Sequence, residues 1–305
     1  ATSYSNHGVT MIPFYIYYSM FGFQRIGDLA WAAGDMLARG FLIGGTSGRT
    51  TLNGEGLQHQ DGHSQLFAQF IPNCMAYDPT FHYEVAVIVR DGLKRMYEDQ
   101  ENVFYYITTL NENYHHPALP EGAEEGIIKG MYPFSKAKGK GLRVQLLGCG
   151  SILNEVIAAV DLLRDDWGVA ADVWSCPSFN ELARDGQAAK RWNRLHPGKK
   201  PRKSYVEQCL EGTEGPVIAS TDYIQLFAEQ IRPYVPRRYE VLGTDGFGRS
   251  DSREALRRHF EVDRHYVTLA ALQALVDEGK LKSGKVRDAI AKYGIDPEKP
   301  NPLYA

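Results

Sequence analysis

Apolar positions along the chain follow two patterns, one typical of strands and one typical of helices, and segments with the two patterns alternate. Between residues 11 and 111, short runs rich in β-branched and aromatic residues predict strands, whereas apolar residues that recur every three to four positions predict helices. Strands that alternate with helices are typical of a mostly parallel sheet covered on both faces. The predicted strands are 12–18, 40–45, 70–77 and 103–109, and the predicted helices are 24–39 and 83–98.

The same alternation restarts after a stretch that has neither period. Residues 117–141 contain three prolines, several glycines and a run of lysines and glycines, which indicates a linker. We therefore predict two doubly wound α/β domains, at 1–120 and 142–305, joined by a linker at 121–141. In the second domain the predicted strands are 142–148, 170–176, 217–220 and 239–243, and the predicted helices are 153–167, 179–196, 224–234, 253–260, 268–278 and 285–293.

Composition places the chain among ordinary globular proteins. Of 305 residues, 43% are hydrophobic and 23% are charged, which excludes disordered and fibrous classes. The formal net charge of −3 gives no electrostatic reason to bind nucleic acid or anionic lipid. No apolar run reaches the roughly 18 residues that a membrane span needs. The cysteines form no Cys-x-x-Cys pair, which predicts reduced thiols and a cytoplasmic protein: Cys74, Cys149, Cys176 and Cys209.

Aromatic residues crowd the end of the first predicted strand and the turn after it. A strand covered on both faces would bury several of them in the core. Tyr18 and Phe21 lie past the strand end, where ligands bind in open α/β sheets, and there they could stack on a planar heterocycle. Both interpretations remain open on the pattern alone.

Two further stretches carry candidate chemistry in the first domain. Residues 44–51 are small or hydroxyl-bearing apart from one arginine, and their N–H groups could hold an anion, although a plain flexible loop fits equally well. Glu55, His59 and His63 follow closely. The neighbouring glycines make a helix and a metal site doubtful, so we favour a loop in which Glu55 and His59 handle protons or contact substrate, with a purely structural loop as the alternative.

Two turns in the second domain follow predicted strands and precede helices. Residues 148–151 imitate a dinucleotide-binding turn, but position 153 is Leu where that motif has its third glycine, so a tight connection is favoured. Residues 243–253 are rich in glycine and polar side chains. This loop fits a contact between domains as well as it fits a ligand site.

Long strings within the chain resemble one family. Residues 11–25, 39–63 and 242–254 are among these strings, and the resemblance extends over nearly the whole sequence. They resemble the homodimeric type of bacterial pyruvate dehydrogenase decarboxylating component, a thiamine-diphosphate enzyme. The resemblance implies that 1–120 is part of a pyrimidine-binding domain, that 142–305 is a transketolase C-terminal-like domain, and that the chain is the C-terminal portion of the subunit.

The resemblance also implies an activity and partners. Such enzymes hold thiamine diphosphate and Mg²⁺ between two copies of the subunit, decarboxylate pyruvate oxidatively and acetylate the lipoyl groups of an acyltransferase component. By position in the matching strings, Tyr18 and Phe21 would pack on the aminopyrimidine, Arg25 would order the loop beside the cofactor, and His59 with Glu55 would be the catalytic pair near substrate.

One departure from the family limits these expectations. The Gly-Asp-Gly motif that holds diphosphate and magnesium does not occur in the 305 residues, and the glutamate that activates the pyrimidine would precede Ala1. We therefore expect no metal ligands here and an isolated chain that neither binds thiamine diphosphate nor decarboxylates pyruvate. The alternatives are a noncatalytic α/β module for assembly or partner binding, and a relative that acts on another 2-oxo acid.

Overall fold

The first half of the chain forms a four-stranded parallel sheet in a computed structural model that describes residues 1–139 and 141–305. The strand order is β1-β2-β4-β3, and every neighbouring pair is parallel. The strands are β1 (Phe14–Tyr17), β2 (Phe41–Gly45), β3 (Cys74–Tyr77) and β4 (Phe104–Thr109). The connecting helices are α1 (Ser3–His7), α2 (Ser19–Asp35), α3 (Ser64–Gln69) and α4 (His82–Leu93), the last extended by a π-helical turn at Lys94–Glu98.

The second half forms a five-stranded sheet in the order β5-β7-β6-β8-β9. Only β5 runs antiparallel to its neighbour among the described strands, so the sheet is mostly parallel and the predicted α/β class is confirmed. The strands are β5 (Tyr132–Ser135), β6 (Arg143–Gly148), β7 (Ala170–Ser175), β8 (Val217–Ser220) and β9 (Tyr239–Leu242). The helices are α5 (Glu124–Lys129), α6 (Leu153–Trp167), α7 (Phe179–Leu195), α8 (Tyr205–Leu210), α9 (Leu226–Glu229), α10 (Arg253–His259), α11 (Arg264–Asp277) and α12 (Gly284–Lys292).

Three predicted elements differ from the structure. The strand predicted at 70–77 is confined to β3, because Pro72 lacks an N–H for the sheet ladder and α3 ends just before it. The helix predicted at 224–234 is the short α9 followed by a 3₁₀ turn at Arg232–Tyr234, where Pro233 stops α-helical hydrogen bonding. The stretch predicted as the linker, 121–141, contains α5 and β5, while its residue Lys140 lies outside the described residues.

The two sheets meet through buried hydrogen bonds at the edge formed by β3. The Asp78 N–H donates to the Pro177 carbonyl at 2.7 Å, and Ser178 Oγ donates to the Ala76 carbonyl at 2.6 Å. Glu84 on α4 accepts from Ser175 Oγ on β7 at 2.6 Å. Each of these groups is buried, and each has its hydrogen-bond partner in the other half of the chain. The two halves therefore satisfy each other's buried polar groups where they pack together. Within the described residues, no helix is both long and apolar enough to cross a bilayer.

Candidate functional site

The candidate site lies where β1 and β2 end. Because these strands are parallel, their carboxyl ends meet at one edge of the sheet. Tyr18 directly follows β1, and Phe21 and Arg25 lie on the first turns of α2. The segment 46–63 follows β2 and carries Glu55 and His59 in turns rather than in a helix.

All five residues predicted for the site lie together. The ring of His59 packs edge-on against Tyr18 and Phe21, with centroid distances of 5.5 and 5.1 Å. Tyr18 and Phe21 are themselves 6.1 Å apart. The guanidinium carbon of Arg25 lies 4.2 Å from the Phe21 ring centroid and makes a cation–π contact with that ring. We call Tyr18, Phe21 and His59 the aromatic triad.

His59 has an acidic neighbour but no hydrogen bond from its inner nitrogen. Nδ1 lies 3.3 Å from Glu55 Oε2, close enough for an ion pair when the imidazole is protonated. Nδ1 is nevertheless buried and without a hydrogen-bond partner among the described residues. Because Glu55 and Tyr18 are exposed, the imidazole sits at the boundary between protein and solvent, where it can exchange a proton with a bound molecule.

His63 has a different environment from His59. Its backbone N–H donates to Asp61 Oδ1 at 3.0 Å, and its Nε2 lies 2.5 Å from the Gln24 amide nitrogen. Burial lowers the pKa of His63, so the neutral ring that accepts from Gln24 is favoured. Across the described chain, no group of three or more His, Cys, Asp or Glu residues is arranged to hold a metal ion.

The donors of Thr50 and Thr51 and the Nη1 atom of Arg49 bond within the protein. Asp222, which follows β8, accepts from the Thr50 N–H at 2.8 Å and from Thr50 Oγ1 at 2.7 Å. It also accepts from the Thr51 N–H at 3.1 Å and from Thr51 Oγ1 at 2.7 Å, while Arg49 donates to the Thr244 carbonyl at 2.7 Å. The acceptor for the Thr50 and Thr51 donors is therefore the buried carboxyl group of Asp222, which belongs to the chain's own second domain.

Asp222 and Asp78 are buried polar residues near the site that the sequence patterns did not single out. Asp78 Oδ1 accepts from Thr108 Oγ1 at 2.6 Å and from the Tyr223 hydroxyl at 3.2 Å, and that hydroxyl is 2.5 Å from Ser47 Oγ. Asp78 and Asp222 each lie just past the end of a strand, and that position is the signal that could have found them.

Family comparisons match both halves of the chain. A family described as the pyruvate dehydrogenase E1 component middle domain matches residues 1–117. A second, the transketolase-like TK C-terminal domain, matches residues 130–263.

Curated relatives match the chain from end to end. The pyruvate dehydrogenase E1 component of Cupriavidus necator is 66% identical over 99% of this chain. The proteins of the same name from Pseudomonas aeruginosa and Escherichia coli K12 are 68% and 64% identical over 99% and 100% of it. In each case the chain spans 34% of the relative's length.

Solved structures share the fold at low sequence identity. Transketolase from Campylobacter jejuni superposes with a TM-score of 0.68 and 17% identity, covering 89% of this chain and 37% of that one. Transketolase from Leishmania mexicana gives a TM-score of 0.63 and 17% identity, covering 95% and 36%. The fold is therefore that of the transketolase-like enzymes, and over nearly its whole length the chain is similar to one part of the pyruvate dehydrogenase E1 components.

Proposed function

We propose that the chain supplies half of the active site of a pyruvate dehydrogenase E1 component, which decarboxylates pyruvate with thiamine diphosphate and acetylates the lipoyl groups of an acyltransferase. The observation that carries the proposal is the convergence of Tyr18, Phe21, Arg25, Glu55 and His59 on one sheet edge. In a module that serves assembly alone, nothing would require a buried, unbonded imidazole nitrogen beside a carboxylate.

The residues present fit one end of thiamine diphosphate. Tyr18 offers an exposed aromatic face beside Phe21, and the planar aminopyrimidine would pack there. When bound, the cofactor supplies the electron sink that loss of carbon dioxide from a 2-oxo acid requires. The diphosphate and Mg²⁺ would need ligands from outside these residues, and we assign none to the chain.

The chain's own residues would then handle protons and exclude water. The His59 imidazole would hold or deliver a proton at the carbonyl oxygen of pyruvate or at the incoming lipoyl sulfur, and the Glu55 carboxylate would stabilise the protonated ring. Tyr18 and Phe21 would keep water from the reacting atoms, while Arg25 would hold the Phe21 ring in place.

A second copy of the subunit would complete this half-site. We place the enzyme in the cytoplasm, on the expectation drawn from its four free cysteines. Titration of the isolated chain with thiamine diphosphate and Mg²⁺ in a calorimeter should give no heat of binding. Micromolar binding by the chain alone would contradict the division of the site between copies.

The decisive test of function uses the complete subunit carrying His59→Gln. We expect kcat for acetylation of lipoyl groups from pyruvate to fall by about 100-fold, because the proton donor is lost. His115→Gln, at an exposed histidine, is the matched control and should leave kcat unchanged. An unchanged kcat in His59→Gln would overturn the assignment. A higher kcat/KM for 2-oxobutanoate than for pyruvate would favour the alternative 2-oxo acid.

A further inference from the structure

The segment 52–60 carries Glu55 and His59 without a helix or strand of its own. Glu55 is flanked by Gly54 and Gly56, whose φ angles of +78° and +77° lie in the left-handed region that favours glycine. Such a segment places its side chains accurately when other elements satisfy its backbone and hold its ends. The elements that hold it come from the second domain.

Both ends of the segment bond to residues 249–251. The Gly54 N–H donates to the Asp251 carbonyl at 3.0 Å, and Ser250 Oγ donates to the Gly54 carbonyl at 2.7 Å. At the other end, the Arg249 N–H donates to Gln60 Oε1 at 2.7 Å. Glu55 and His59 are therefore held from both sides by three consecutive residues of the other domain.

The Gln60 side chain links the two ends of the segment. Its amide nitrogen donates to the Leu52 carbonyl at 2.7 Å, and the residue is fully buried. Gly248 makes room for it, because a Cβ at that position would lie 2.7 Å from Gln60 Oε1 and 2.9 Å from Gln60 Cβ. Gly248 thus leaves room for the Gln60 side chain, and the polar groups of residues 249–251 match the hydrogen-bonding groups of the segment they meet.

We propose that residues 248–251, which we call the bracket, position Glu55 and His59. The positioning residues are Ser250 in the bracket and Gln60 in the segment that the bracket contacts. The inference rests on the proposed function for the roles of Glu55 and His59, but the bracket itself is defined by contacts between domains. It assigns the glycine-rich loop of the second domain a part in the reaction, although that loop supplies no group to the aromatic triad.

The first test measures the bracket without reference to catalysis. Ser250→Ala removes one donor from an exposed side chain, so the fold should persist. Hydrogen exchange of the complete subunit, followed by mass spectrometry, should show about fivefold faster exchange in peptides covering 53–60. Ser250→Thr keeps the hydroxyl and should restore the slow rate. Ser283→Ala, at an exposed serine whose side chain caps no helix, is the control. Unchanged exchange in Ser250→Ala overturns the bracket.

The second test asks whether the bracket positions the reacting groups. In the complete enzyme, Ser250→Ala should lower kcat about three- to tenfold and leave KM for pyruvate within about twofold, with recovery in Ser250→Thr. Gln60→Glu, which keeps the size but repels the Leu52 carbonyl, should act in the same direction. Faster exchange with an unchanged kcat overturns the positioning role. If the wild-type enzyme fails to decarboxylate pyruvate, the proposed function fails, while the exchange measurement still decides the bracket.

Discussion

Asp78 lies at the joint between the two sheets, and its carboxyl is completely buried. One carboxyl oxygen accepts from Thr108 and Tyr223, whereas Oδ2 accepts no hydrogen bond from the described residues. Burial raises the pKa of Asp78 from 3.8 to about 7, and these hydrogen bonds only partly oppose the shift. We therefore expect the charge state of this carboxyl to change the stability of the whole chain near neutral pH.

The sign and size of the effect follow from proton linkage. Between pH 4 and 7 the unfolded chain has lost the Asp78 proton while the folded chain retains it, so stability falls as pH rises. At 1.36 kcal/mol per pKa unit, a pKa raised from 3.8 to about 7 corresponds to about 4 kcal/mol. This contribution is fully present below pH 4 and is lost once the pH exceeds about 7.

Asp78→Asn removes the titration and keeps the shape of the side chain. The free energy of unfolding in urea, measured from pH 4 to 8, should fall with pH in the wild type relative to Asp78→Asn by about 4 kcal/mol. Asp288→Asn, at an exposed position on α12, is the control and should follow the wild type throughout. A difference between wild type and Asp78→Asn that is constant across this pH range would refute the reasoning.

Two further substitutions test the packing around the site. Asp222→Ala should lower the free energy of unfolding in urea by about 3–5 kcal/mol, because it leaves the buried donors of Thr50 and Thr51 without their acceptor, and an unchanged urea midpoint would contradict this. Gly130→Ala should lower the melting temperature by several degrees more than Gly168→Ala, because both have positive φ but a Cβ on Gly130 would lie 2.4 Å from the Ser178 carbonyl oxygen; equal melting temperatures would contradict the steric argument.

The sequence predicted the bounds of several helices and strands closely. The predicted helix 153–167 coincides with α6, and the predicted strand 217–220 coincides with β8. The helices α3 and α8 were missed because six residues show too little of the helical period. For α8 a local signal did exist: Ser204 accepts from the Glu207 N–H at 3.2 Å and donates its own N–H to the Glu207 side chain, which is the capping box of an S-x-x-E string.

Part of the site could be predicted from the ends of the predicted strands, the loop composition and the family resemblance. Strand ends placed Tyr18 and Phe21 at the binding edge, and the loop composition together with the resemblance pointed to Glu55 and His59. In the structure His59 packs against Tyr18 and Phe21, and Glu55 lies beside His59. The partner of the 44–51 loop could not be predicted, because Asp222 lies 172 residues away from Thr50. Local patterns report neighbours along the helix or strand and carry no information on such a pairing.

The hydrogen bonds of the 46–63 segment show that the two domains build the site jointly. Besides Asp222 and the bracket, the second domain contributes the Ile224 N–H, which donates to the Gly62 carbonyl at 2.8 Å, and Arg253, which donates to the Thr51 carbonyl at 2.7 Å. Because the segment forms no helix or strand, these contacts take the place of regular backbone hydrogen bonds. Each of them would be exchanged for a hydrogen bond to water if the second domain moved away. The members of the aromatic triad are therefore positioned by different elements. The start of α2 positions Tyr18 and Phe21, whereas the second domain positions His59 through its hydrogen bonds to the 46–63 segment. A change in the packing between the domains should therefore displace His59 more than it displaces Tyr18 and Phe21.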